Sequence, residues 1–113
     1  MKQREIWLVN LDPTVGSKIH KTRPCVIVGD DAVGALPLKL AAPLTDLKER
    51  YRSVPWMVCL KPDHVNNLTK PSAIDLFQVR CVAGERLVRR LGEITPTELD
   101  EARQALKLVF GLQ

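Results

Sequence analysis

No apolar run in this chain approaches the ~20 residues that a membrane-spanning helix needs, and its amino terminus carries no signal-type hydrophobic region. The sequence therefore predicts a protein with no membrane segment, placed in the cytoplasm. Metal signatures are missing as well. Cys25, Cys59 and Cys81 form no CxxC pair, the two histidines lie far apart, and neither an HExxH helix nor an aspartate cluster suited to magnesium is present. No metal and no cofactor are expected. An odd number of cysteines, each among apolar neighbours, predicts buried free thiols in a reducing compartment. There is no repeat and no low-complexity tract, so residues 1–113 are expected to form one domain, large enough for its own core.

What the chain has is an ordinary apolar content, 45%, and a surplus of 17 Lys and Arg over 13 Asp and Glu, a net charge of +4. That balance permits a polyanionic partner without requiring one. The cations concentrate in Gly16-Ser17-Lys18-Ile19-His20-Lys21-Thr22-Arg23-Pro24, where Lys18, His20, Lys21 and Arg23 have no acid among them. The stretch lies between two apolar, β-branched runs, Glu5–Leu11 and Cys25–Val28, which predict strands with a loop over the sheet edge. Gly16 permits a tight turn, and Pro24 stiffens the return into strand. Arg23 precedes a proline, which biases it toward extended geometry, and a planar guanidinium can hold two phosphate oxygens at once. The same residues also fit a plainer arrangement, with Arg23 on a surface carboxylate and the lysines solvated.

Taken in order, Glu5–Leu11 is apolar on both faces, as in a strand covered on two sides, with Trp7 structural. Asp12-Pro13-Thr14 reads as a turn. Cys25–Val28 is a buried strand ended by Gly29-Asp30-Asp31, with a loose segment through Gly34. A third strand runs from about Leu38 to Leu44, and Pro43 near its end predicts an edge strand or a bulge. Thr45 follows, its hydroxyl directed toward the face under the cationic loop or capping the turn before Asp46. Lys48–Ser53 predicts an exposed, mobile loop, whose Lys48, Arg50 and Tyr51 have the charge and the ring to grip single-stranded nucleic acid, or simply form a solvated hairpin tip. Val54–Leu60 returns as a strand, and His64 belongs to the turn-rich surface loop after it.

Ser72–Val82 alternates through its length, with Asp75, Gln78 and Arg80 among apolar residues, and so predicts one long strand bordering a groove. Leu87–Leu91 is a further short strand. Thr95-Pro96-Thr97-Glu98 supplies an N-cap, a proline at the first helical position and the glutamate of a capping box. The helix that follows has Leu99, Ala102, Leu106, Val109 and Phe110 as its apolar stripe and stops at Gly111. Five or six short strands and one carboxy-terminal helix predict a small antiparallel barrel with the helix packed on it.

The run Ile6-Trp7-Leu8-Val9-Asn10-Leu11-Asp12-Pro13-Thr14-Val15-Gly16-Ser17, followed by Lys21-Thr22-Arg23-Pro24-Cys25-Val26-Ile27-Val28, resembles the opening of the MazF/PemK family of toxin endoribonucleases. Pro43-Leu44-Thr45 is similar to the family's second active-site segment, and Phe77-Gln78-Val79-Arg80 with Leu87–Leu91 to its later strands. With the helix, the resemblance covers nearly the whole chain. It implies an SH3-like barrel of the CcdB/MazF kind and a homodimer. It also implies metal-independent cleavage of single-stranded RNA, mRNA above all, at a short preferred sequence, and inhibition by a MazE-like antitoxin whose acidic tail fills the RNA groove. Position by position, Arg23 matches the family's catalytic arginine and Thr45 its catalytic threonine. The loop and groove residues Ser17, Lys18, Lys21, Lys48, Arg50, Tyr51, Gln78 and Arg80 are then expected to contact RNA. Two positions depart from the family. Lys18 stands where an acid often follows the serine, and Phe77 stands where an acid often precedes the glutamine. Asp75, two positions earlier on the same strand face, is a candidate substitute.

Cleaving RNA with its own 2′-hydroxyl requires a base for that proton, donors for the charge on pentacoordinate phosphorus, and an acid for the departing 5′-oxygen. Arg23 suits the charge and Thr45 a further hydrogen bond, but neither is a base. His20 and Asp75 have usable pKa values, and His20 shares a loop with Arg23. The products expected are a 2′,3′-cyclic phosphate and a 5′-hydroxyl. Two other functions remain open on the sequence. A non-enzymatic CcdB-like poison of DNA gyrase would depend on the carboxy-terminal helix. A plain RNA- or peptide-binding barrel would keep its binding after single changes at Arg23 or Thr45.

Overall fold

The computed structural model describes residues 1–11, 21–33 and 37–112. The chain forms seven strands and one helix in these parts: β1 (Glu5–Asn10), β2 (Thr22–Ile27), β3 (Leu38–Asp46), β4 (Met57–Leu60), β5 (Ser72–Asp75), β6 (Arg80–Ala83), β7 (Leu87–Glu93) and α1 (Pro96–Phe110). All pairings are antiparallel, in the order β4-β5-β3-β2-β1-β7, with β6 also on β3. β1 is covered on both faces, as its sequence predicts. Ile6 belongs to the main core with Val26, Leu44, Ile74 and the helix residues Leu99 and Ala102. Val9 belongs to a smaller cluster on the other side with Cys25, Ala41 and Val82.

The helix forms where its caps place it. The Thr95 hydroxyl accepts from the Glu98 N–H at 3.1 Å, the Glu98 carboxylate accepts from the Thr95 N–H at 2.8 Å, and Gly111 ends the helix at φ 69°. Leu99, Ala102 and Ala105 are its buried line. Phe110 departs from the predicted stripe and is 62% exposed, because α1 packs on β4 and on the turn at Leu76–Gln78 and its last turn lies beyond both.

β3 is central rather than an edge strand, which corrects the expectation drawn from Pro43. β2 lies on one side of it, and β6 and then β5 on the other. The Val28 N–H donates to the Leu40 carbonyl at 3.0 Å, so by alternation the ladder bonds also join Val26 and Ala42 and skip the Cys25–Pro43 pair. The side of Pro43 without a donor therefore faces the other neighbour. There β6 has ended at Ala41 and β5 begins only at Leu44, so no bond is lost.

Ser72–Val82 is likewise not one strand. It breaks into β5, a 3-10 turn at Leu76–Gln78, and β6. The Asp75 carboxylate accepts from the Phe77 N–H at 3.1 Å and from Gln78 Nε2 at 2.8 Å, and the Leu76 N–H donates to the Trp56 carbonyl at 3.1 Å. These local bonds outcompete the ladder. Lys48–Ser53 contains a 3-10 turn, Glu49–Ser53, in which the Arg50 guanidinium stacks 5.3 Å from the Tyr51 ring centre, and β4 starts at Met57 rather than Val54. Of the cysteines only Cys25 is buried; Cys59 is half-buried and Cys81 exposed.

Glu5 ties the amino terminus to β7 at one edge of the sheet. Its carboxylate accepts from the Lys2 N–H at 2.9 Å and Trp7 Nε1 at 3.0 Å and pairs with Arg90 at 3.2 Å. Burial alone would raise its pKa, but the Lys2 and Trp7 bonds and the charges of the Met1 amino group and Arg90 outweigh it and hold the carboxyl at about 2, against an ordinary 4.5. A group whose pKa is depressed by folding adds stability that is complete above its unfolded value and disappears as pH falls toward its folded value. Glu5→Gln is therefore expected to melt at a lower temperature than wild type at pH 7. The gap should close between about pH 4.5 and 2, which thermal melts by circular dichroism across that range would measure.

Candidate active-site cleft

The β2–β3 ladder runs only from Cys25–Pro43 to Ile27–Ala41. Beyond it β3 continues as Leu44–Asp46 on β5, while Thr22, Arg23 and Pro24 pair only with Asn10, Val9 and Leu8 of β1. Pro24 explains the parting: by the same alternation its position faces Leu44 of β3, and it has no N–H to carry the ladder on, whereas the donor-less side of Pro43 faces away from β2. The gap is a cleft of about 290 Å³. Arg23 lines it from β2 and Thr45 and Asp46 from β3; Lys70 and Ser72 close it from the segment leading into β5.

Both residues expected to be central, Arg23 and Thr45, are half-buried in this one cleft. Asp46 and Lys70 form an ion pair at 2.8 Å across its mouth. The Ser72 hydroxyl donates to the Lys70 carbonyl at 3.0 Å, and the Leu47 N–H donates to the Pro71 carbonyl at 3.1 Å, which fixes the turn carrying the lysine. Lys70 did not stand out in the sequence, although Lys70-Pro71 repeats the pattern of Arg23-Pro24, a cation held extended by the proline after it.

Cys25 follows Arg23 by two residues, and its thiol donates to the Arg23 carbonyl at 3.6 Å. Burial pushes this thiol up to about 11, against the pull of the Arg80 and Arg23 charges, so it stays protonated and is no nucleophile. Both guanidiniums thus act on the same buried sulfur. Arg80 lines a separate cavity of about 240 Å³ with Arg86, whose Nη1 donates to the Asn10 carbonyl at 3.2 Å.

Other expected site residues fall elsewhere. Asp75 does not line the cleft, and each of its oxygens accepts a bond within the Leu76–Gln78 turn. Gln78 and Phe77 are exposed on that turn, and Lys48, Arg50 and Tyr51 lie in or beside Glu49–Ser53. Lys21 is exposed, and its carbonyl accepts from the Leu11 N–H at 2.8 Å, closing the base of the loop. Ser17, Lys18 and His20 lie outside the described residues, as do the Asp12-Pro13-Thr14 turn and Gly34. No group of three or more His, Cys, Asp and Glu side chains is placed to hold a metal ion among the described residues, and no helix among them is long and apolar enough to cross a membrane.

An all-antiparallel sheet with one packed helix, opened at a strand parting lined by a guanidinium, three hydroxyls and an ammonium paired with one carboxylate, defines a small β-protein with a polar cleft whose unpaired charge is positive. The comparisons narrow that class. The family described as PemK-like, MazF-like toxin of type II toxin-antitoxin system matches residues 2–110. The endoribonuclease MazF9 of Mycobacterium tuberculosis is 33% identical over 119 residues, covering 99% of this chain and 98% of the relative, and the endoribonuclease MazF of Staphylococcus epidermidis is 27% identical over 99% of this chain and 92% of its own. Among solved structures, a mycobacterial endoribonuclease in complex with its cognate antitoxin superposes with a TM-score of 0.80 at 21% identity, covering 100% of this chain and 97% of that one. A MazE–MazF complex from Deinococcus radiodurans gives 0.79 at 22% identity, over 100% and 97%. The chain belongs to the PemK/MazF-like toxin family of type II toxin–antitoxin systems.

Proposed function

We propose that this protein is an endoribonuclease toxin that cuts single-stranded RNA, mRNA in particular, at a short preferred sequence and without a metal ion. What carries the reading is the cleft at the β2–β3 parting, which brings Arg23 and Thr45 together in a chain whose relatives bear the name endoribonuclease. The 2′-hydroxyl attacks the adjacent phosphorus, the 5′-oxygen leaves, and the fragments end in a 2′,3′-cyclic phosphate and a 5′-hydroxyl. Arg23 neutralises the charge gathering on the phosphoryl oxygens and Thr45 donates a further bond to them. Lys70, at the mouth, meets a neighbouring phosphate. His20 takes the 2′-hydroxyl proton, because Asp75 does not line the cleft and its oxygens are already engaged, and the departing 5′-oxygen takes a proton from water to leave as the 5′-hydroxyl. The whole of 1–113 acts as one domain in the cytoplasm, as a homodimer, and a MazE-like antitoxin restrains it by laying an acidic tail in the same cleft.

The test is incubation with a long single-stranded RNA in EDTA, followed by end-group analysis. Discrete fragments with cyclic-phosphate ends support the proposal, and RNA left intact at high protein concentration overturns it. The exposed Leu108, Phe110 and Leu112 at the end of α1 are the observation on the side of a non-enzymatic toxin that binds gyrase through its helix. Capture of gyrase together with intact RNA would establish that second reading. Lys70→Ala is expected to weaken RNA binding and to flatten the plot of log affinity against log salt by about one unit, since one phosphate contact is lost. Filter binding from low to moderate salt reads that slope, and an unchanged slope removes Lys70 from the phosphate path.

A further inference from the structure

Only five aromatic residues occur in the chain, and two of them, Trp56 and Phe77, stand together at the surface. Trp56 is 37% and Phe77 68% exposed, their ring centres are 6.0 Å apart, and their planes tilt by 47°. Leaving such rings in water forgoes the burial that usually justifies them. The support beneath them is rigid. Leu76 is fully buried, its N–H is bonded to the Trp56 carbonyl, and the Asp75 carboxylate caps the Phe77 N–H. The Gln78 amide nitrogen is spent on Asp75, and its carbonyl oxygen remains an acceptor on the same exposed turn as Phe77.

We propose that Trp56 and Phe77 form a stacking platform for one unpaired nucleobase of the RNA, next to the cleavage cleft. The proposal rests on the ribonuclease reading and adds a base-binding subsite to it. Two observations favour RNA over an apolar protein surface. First, the surroundings are basic: Lys48, Arg50 and Arg52 precede Trp56, and Arg80 follows Phe77. Of the nearby acids, Glu49 and Asp75 are bonded to Arg52 and Gln78, and Glu101 of α1 lines a cavity with Arg52, so the cations still outnumber the acids. Second, the platform continues the cleft strand. Ala73 pairs with Thr45 and Asp75 with Met57; Trp56 adjoins Met57, and Phe77 lies two residues past Asp75. At a strand rise of ~3.3 Å per residue, Phe77 lies on the order of 10 Å along the chain from Ala73.

Stacking on an aromatic face tolerates every base and is lost with the ring. The probe is a set of 2′-O-methyl RNA 12-mers covering the mapped cut site, which cannot be cleaved because the attacking hydroxyl is blocked, each with one abasic position. Wild type is expected to lose about ten-fold in affinity at one abasic position. Phe77→Ala should bind the intact 12-mer about ten-fold more weakly and be indifferent to that position. Phe77→Leu, apolar but without a π-face, should behave like Phe77→Ala, and quenching of tryptophan emission by RNA should disappear in Trp56→Phe. Affinities for every 12-mer equal to wild type in Phe77→Ala, or an affinity loss that tracks dissociation of a dimer in sedimentation, overturn the proposal; the latter makes the pair a contact between copies. An effect confined to binding of an acidic antitoxin peptide also overturns it. Should wild type cut no RNA at all, the ribonuclease reading fails by itself. Titration with 2′-O-methyl oligo(U) and oligo(A) then decides separately whether bases quench Trp56.

Discussion

Arg23→Ala is expected to lower RNA cleavage by at least ~10³-fold while leaving the melting temperature nearly unchanged. The magnitude follows from what the side chain offers. A neutral hydrogen-bond donor aimed at a developing oxyanion is commonly worth ~10²–10³ in rate, and a guanidinium adds a full charge and a second parallel bond at a centre that gains negative charge in the transition state. The small structural effect follows from position. Arg23 pairs with Val9 near the free end of the β1–β2 ladder and is half-buried, and among the described residues its guanidinium takes part in neither core cluster. Arg23→Lys separates charge from shape, because lysine keeps the charge but loses the fork. Its rate should fall between wild type and Arg23→Ala. Single-turnover cleavage with saturating enzyme is the measurement, paired with a thermal melt. A folded Arg23→Ala protein that cleaves at the wild-type rate would remove the arginine from the chemistry and the ribonuclease reading with it.

Legibility in the sequence followed the range of the forces involved. The helix was readable to the residue at both ends, because Thr95, Pro96, Glu98 and Gly111 act on backbone groups within four positions of themselves. Strand β1 and the apolar half of β2 were readable because period and β-branching suffice where both faces are covered, but β2 begins at Thr22 rather than Cys25, so Arg23, expected at the end of the loop, is a strand residue paired with Val9. The centre of the sheet was not. Pro43 alone argues for an edge, and only the long-range fact that β6 stops at Ala41 and β5 starts at Leu44 makes a proline harmless there. The alternation of Ser72–Val82 is real but concealed a turn, since the local bonds of Asp75 to Phe77 and Gln78 are fixed together with a long-range one, from the Leu76 N–H to the Trp56 carbonyl, that alternation does not report. The site divides in the same way. Arg23 and Thr45 are legible through motif, whereas Lys70 enters the cleft only because β5 pairs with β3, a contact some 25 residues away in sequence.

The largest loss of stability is expected from a residue with no side chain. A Cβ placed on Gly92 would stand 2.4 Å from the Val65 carbonyl oxygen, 2.6 Å from that of Asn66 and 2.7 Å from the Asn66 carbonyl carbon, all backbone atoms. Whether such a clash is relieved depends on whether the backbone can move, and here it is held from several directions. The buried Asn66 side chain accepts from the N–H groups of Asp63 and Leu68 and donates to the Lys61 carbonyl. The Asp63 carboxylate accepts from the Val65 and Asn66 N–H groups. Asn67 Nδ2 donates to the Leu91 carbonyl and the Glu93 N–H to the Val65 carbonyl, so the loop is also tied to the strand on either side of Gly92. Relief would mean breaking some of these bonds, each worth ~1 kcal/mol, and exposing a buried amide at a further ~1–3 kcal/mol. Gly92→Ala is therefore expected to cost about 3–5 kcal/mol and to lower the melting temperature by roughly 10–20 °C. Gly84→Ala is the control: its Cβ would meet nothing nearer than the Pro37 carbonyl oxygen at 3.6 Å, an ordinary contact. Thermal and urea melts of the two variants beside wild type decide the matter. A Gly92→Ala protein as stable as Gly84→Ala would mean that the Lys61–Leu68 loop yields freely, and that its hydrogen bonds do not hold it against β7.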